Sequence, residues 1–189
     1  MDMNKILSMI LLSVVMLAGK DLHAQKYSIS TNLLDYAQLG TLNAEASVAL
    51  SRRWSICAGI RYNPFTFNYG EAGEQFQLRQ QSYSLGIRLW PWHTLSGWWF
   101  SAKARYQEYN SGGILSEETE EGDRVGMGLY SGHTFMLAKH LNLELGLGFW
   151  SGVSFFTRYS CPSCGVTVDS GKKYFLLPDD FNLSLVYVF

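Results

Sequence analysis

Charge is scarce in this chain of 189 residues. Fifteen Lys and Arg stand against sixteen Asp and Glu, a net charge of -1 and a charged fraction of 16%. Such a balance excludes a nucleic-acid partner held by neutralising phosphates. Proline is also scarce, at four residues, and cysteine at three. Beyond residue 24 no run is long and apolar enough for a transmembrane helix. Disorder is excluded in turn, because 47% of the residues are hydrophobic. What the chain does have is aromatic residues (15%) and glycine (18 residues). With few long helix-forming runs, that composition points to one all-β domain.

The first 24 residues read as an export signal. Lys5 precedes an apolar run from Ile6 to Ala18, then Lys20 and Asp21, and a cleavage site after Leu22-His23-Ala24. A basic start, a short apolar core and a small residue at the cut define a secretory signal peptide. The run is too short for a membrane anchor, which needs about 20 apolar residues. The expected domains are therefore 1–24, signal peptide, and 25–189, the mature domain. No Cys stands at the cut, which argues against a lipoprotein.

The mature chain alternates with a period of two, the mark of half-buried strands. Leu42, Ala44, Ala46, Val48 and Leu50 oppose Asn43, Glu45 and Ser47. Trp54, Ile56, Ala58, Ile60 and Tyr62 oppose Ser55, Cys57, Gly59 and Arg61. The pattern recurs over 83–89, 98–106, 141–149 and 181–189. Less regular strands are expected over 27–35 and 124–137, where Gly126, Gly128, Tyr130 and Gly132 share the second face. The total is eight.

Connection lengths select the architecture. Links at Ser51-Arg52-Arg53, Pro91-Trp92-His93-Thr94 and Ala138-Lys139-His140 are short, whereas 64–79, 107–123 and 159–179 are long and polar. Short turns alternating with long loops suit an eight-stranded antiparallel up-and-down β-barrel of the outer membrane. Strands of about 10 residues match a tilted crossing. Trp54, Tyr62, Tyr83, Trp98, Tyr106, Phe181 and Tyr187 would form aromatic girdles. A soluble sandwich or lipocalin-type barrel would alternate similarly, but its outer face would carry more charge. Tyr187 and the terminal Phe189 resemble the C-terminal signal read by the barrel-insertion machinery. The expected location is the outer membrane, with lipid and lipopolysaccharide as surroundings.

Eight strands enclose a space that side chains fill. Glu45, Arg61, Arg88, Lys103, Arg105 and Glu144 fall on the inward face and are expected to pair across it, since unpaired buried charge is costly. A plugged lumen follows, with a charged pore as the alternative.

Chemical motifs are sparse. Cys161 and Cys164 lie in the last long link without a second pair or a His, so a complete zinc site is not expected. In an oxidising compartment they read as a small disulfide, with a metal shared between chains left open. Neither cofactor nor metal is expected. The acidic stretch Glu117 to Asp123 reads as a solvated loop or as a divalent-cation site beside lipopolysaccharide phosphates. Ser131 and His133, two residues apart on one face, are the best pair for catalysis, but no acidic residue nearby orients them.

Several pieces together resemble a known family. They are Asn32-Leu33-Leu34, Asn43, Arg53-Trp54-Ser55, Asn63-Pro64-Phe65, Arg88-x-Trp90, Tyr109-Asn110-x-Gly112, Gly146-x-Gly148, Tyr159-x-Cys161-x-x-Cys164-Gly165 and Ser184-Leu185-x-Tyr187. In this order they resemble the family of domain of unknown function 3575, Bacteroides-type outer-membrane β-barrel proteins. Two family carboxylates are absent here, at Ser47 and Gly86, and Glu45 lies on the face of the first. The resemblance implies a companion of fimbria-type surface assembly. The expectation is a non-enzymatic barrel acting in surface interaction or fimbria-associated envelope assembly through its extracellular loops. The alternatives are a lipid-A-modifying barrel enzyme and a narrow channel.

Overall fold

The computed structural model describes residues 26–68, 75–112, 118–160 and 166–189. The signal segment 1–24 and the pair Cys161 and Cys164 lie outside the described residues. Nine strands follow in order: β1 (Tyr27–Asn32), β2 (Leu42–Ala49), β3 (Trp54–Asn63), β4 (Thr66–Asn68), β5 (Gln75–Leu89), β6 (Gly97–Gly112), β7 (Thr119–Ala138), β8 (Leu141–Tyr159) and β9 (Thr167–Val188). One helical turn, α1 (Leu33–Ala37), follows β1.

All pairings are antiparallel between neighbours in sequence, and β1 pairs with β9. Both β3 and β4 pair with β5, so they form one wall position interrupted at Pro64. The result is the expected closed, eight-stranded, all-β barrel. Closure removes the unpaired edges that an open sheet would present.

Two expectations need correction. The first strand ends at Asn32, short of Asp35. The Asn32 side chain accepts from the Leu34 amide at 3.2 Å and donates to Asp35 Oδ1 at 2.9 Å. This cap turns the chain inward and starts α1. The long polar links are also largely strand. Alternation fails there because polar side chains stand on both faces of these segments. β5 to β9 run for 15 to 22 residues, against 6 and 8 for β1 and β2. The wall is therefore tall on one side and low on the other.

The short links at 50–53, 90–96 and 139–140 gather at one end, with Lys26 and Phe189. Just inside it Trp90, Leu95, Trp99, Tyr130, Val186 and Val188 form an apolar plug. Trp90 Nε1 donates to Ser55 Oγ at 3.0 Å. Tyr130 and Trp99 lie flat on the inner wall because glycines make room. A Cβ on Gly128 would come within 2.2 Å of the Tyr130 hydroxyl, and one on Gly132 within 2.5 Å of the Trp99 ring.

Candidate functional site

The inward face carries the charge. Arg88 on β5 reaches Glu144 on β8 at 3.0 Å and also bonds Glu45 on β2. Lys103 on β6 donates to the second Glu45 oxygen at 2.5 Å. Thr134 donates to Glu144 at 3.0 Å. Five strands thus meet at two carboxylates, and Arg88 is 4% exposed, Glu144 1%. The guanidinium suits this place because its planar fork can serve two carboxylates at once.

Arg61 is bound differently from the cross-barrel pairing expected. It meets Asp35 of α1 at 2.8 Å. The sequence pattern places Asp35 on a strand, and only the inward turn at Asn32 brings it to Arg61. Arg105 faces inward with its guanidinium 5.0 Å from the Trp150 ring. With Arg88 4.5 Å from Trp99 and Lys103 5.2 Å from Tyr130, three cations lie over three aromatic rings along the inner wall. Such contacts add about 0.5–2 kcal/mol each, more when water is excluded. The rings share strand parity with the glycines and charges, and that parity is the signal by which Trp99 and Trp150 could have been placed inside.

Between these groups lies a polar cavity of about 50 Å3, bordered by Asn32, Asn43, Glu45, Arg61, Arg88 and Lys103. That is room for a few water molecules. Beneath it stands the apolar plug.

A second cluster sits on the tall side. Glu120 of β7 accepts from Lys173 at 2.8 Å, Arg158 at 3.1 Å and Tyr109 at 2.7 Å. Arg124 stacks 3.7 Å from the Tyr109 ring. Burial opposes charge on Glu120, yet the bonds from Lys173, Tyr109 and Arg158 outweigh it and hold the carboxyl at about 2. Glu121 points the other way and accepts from Asn110 at 3.1 Å and Tyr159 at 2.6 Å. The described part of the acidic stretch is therefore mostly strand, with Glu120 and Glu121 each engaged by neighbouring strands. Its solvated-loop reading came from charge alone, which does not show that Lys173 and Arg158 stand opposite.

The outer wall is the inverse of the inner one. Ser131 and His133 are there, half-buried, and the His133 ring packs against Trp98 at 5.1 Å and Phe135 at 4.4 Å. Cys57 faces inward and is buried. Tyr187 is on the outer wall beside His140 and Phe189. Among the described residues, no three His, Cys, Asp or Glu side chains are grouped to hold a metal ion.

No curated protein and no solved structure matches the sequence. One family profile does, over residues 8–189, and its residues include every strand of the barrel. The chain therefore belongs to the family described as protein of unknown function DUF3575.

Proposed function

We propose that the protein is an outer-membrane barrel with a closed lumen, non-enzymatic, acting in surface interaction or fimbria-associated envelope assembly. The observation that carries the membrane reading is an outer belt without charge. Outward positions from Trp54 to Tyr62, Tyr83 to Leu89, Trp98 to Tyr106 and Leu141 to Phe149 are apolar or aromatic. The ionic groups are inside, the reverse of a water-soluble barrel. Tyr106 marks the upper limit of the belt: its hydroxyl lies within hydrogen-bonding distance of Glu108 at 3.0 Å and Asp123 at 2.9 Å, the first outward charges above it. An amphipathic ring at such a boundary suits an interfacial girdle.

The plug and the ion-paired interior favour a structural lumen over a channel. Lipid and lipopolysaccharide would surround the belt, with Tyr187 and Phe189 as the insertion signal. The tall wall of β5 to β9 and its loops would be the working surface. Membrane fractionation followed by electrophoresis with and without boiling tests this. The expected result is an outer-membrane band that migrates differently when heated, with a mature chain starting at Gln25. A soluble protein without that shift would refute the reading.

A further inference from the structure

The outside of a barrel is convex, yet this wall carries a groove of about 710 Å3. Trp98 of β6 and Phe135 of β7 border it on one side, Phe181 of β9 and Leu34 of α1 on the other. Leu145 and Leu147 of β8 lie between them. Two local features make the hollow. The β8–β9 register shifts between Gly146 and Gly148, where β9 carries one residue more than β8, and such a bulge bends the wall. Ser131 is also the smallest outward side chain of β7 between Val125 and Leu137, so the floor is low beside its register partner Leu147. The volume is that of a ligand cleft, about 300–1,000 Å3.

His133 gives this groove a directed donor. Its ring is held between Trp98 and Phe135, and Nδ1 is buried without a hydrogen-bond partner. A buried acceptor without a partner is tolerated better than a buried N–H without one, so the ring proton belongs on Nε2. His133 lines the groove, and a donor turned toward hydrocarbon requires an acceptor. Trp98 is the second residue of β6, just after the short link 90–96, and His133 is its register partner. Both therefore sit near the short-link end of the belt, where an indole marks the level between hydrocarbon and headgroups. The ester carbonyls of a glycerolipid lie at that level. From His133 the register row runs through Leu145 to Leu183, about 10 Å across the sheet. That row is an apolar track toward Phe181, which is 72% exposed, and Leu34.

We propose that the groove seats one glycerophospholipid. An acyl chain lies over Leu145 and Leu147 toward Phe181 and Leu34, and an ester carbonyl accepts from His133 Nε2. This rests on the membrane reading and gives Ser131 and His133 a binding role. A second barrel would meet the groove with a convex wall and leave it unfilled, whereas a single hydrocarbon tail follows it.

Photolabelling tests the site. The full-length mature barrel is inserted into vesicles of phosphatidylethanolamine and phosphatidylglycerol that include a phospholipid with a diazirine in its acyl chain. After irradiation, adducts are mapped by mass spectrometry. Leu145, Leu147 and Phe181 are expected to carry about tenfold more label than Leu85 and Met127, which are equally outward. Ser131→Phe, which fills the floor, should bring the two sets level. His133→Phe, which keeps the ring and removes the N–H, should lower the excess about fivefold. The heat-dependent gel shift of each sample identifies folded, inserted barrel. Even labelling of wild-type protein that shows the shift overturns the proposal and leaves the membrane reading standing. An excess that survives Ser131→Phe in shifted protein overturns it as well, because the lipid then lies elsewhere. Wild-type protein that neither inserts nor shifts refutes the membrane reading, and this site with it.

Discussion

Arg88 on β5 and Glu144 on β8 are 56 positions apart and meet at 3.0 Å across the barrel. β6 and β7 stand between their strands in the wall, so the pair exists only because the sheet closes. Replacing Arg88 with Met leaves Glu144 with Thr134 and Glu45 with Lys103. Removing one partner of a buried pair costs about 3–5 kcal/mol. Arg88→Met is expected to lower the temperature of the gel shift, and Arg88→Met with Glu144→Gln to recover part of the loss. Equal midpoints for Arg88→Met and wild type would show that the pair adds nothing.

Gly128 is held by one side chain. A Cβ there would meet only Tyr130 atoms among its nearest neighbours, at 2.2 to 2.6 Å. Gly128→Ala should therefore destabilise by about 1–3 kcal/mol, as overpacking does. In a Tyr130→Ala background the same change should cost little. Urea unfolding of the four proteins measures the coupling, and additive costs would place the conflict elsewhere.

Glu120 sets an acid limit for the tall side. Its carboxyl is held at about 2, below the unfolded value of about 4.3. Its stabilising contribution is therefore complete above the unfolded value and is lost as pH falls through about 2. Protease resistance of the β7–β9 hairpins should weaken between about pH 5 and pH 2. Glu120→Gln should weaken it at neutral pH and flatten that dependence. An unchanged acid profile in this variant would assign the effect to other carboxylates.

The plug predicts electrical silence. Trp90 is fully buried and Trp99 nearly so, both at the end where the short links gather. Purified barrel in a planar bilayer should show no unitary conductance at neutral pH. Steps in the wild-type trace would revive the channel reading.

Much of the barrel was legible in the sequence. Period-two alternation located Leu42 to Leu50 and Trp54 to Tyr62 almost to the residue, since a wall with one apolar face imposes that pattern. The inward placement of Glu45, Arg88, Lys103 and Glu144 followed from the same parity. The tall strands were not legible. Residues 119–123 and 167–178 pair as strands, yet polar side chains stand on both of their faces, so nothing selects alternate apolar residues there.

Sequence alone thus determined which face each central-strand residue takes, because parity is a property of consecutive residues. Only the tertiary structure decided who meets whom: Arg61 with Asp35, Glu120 with Lys173 and Arg158, Arg88 with two carboxylates. Those contacts depend on register and closure, which bring distant strands together.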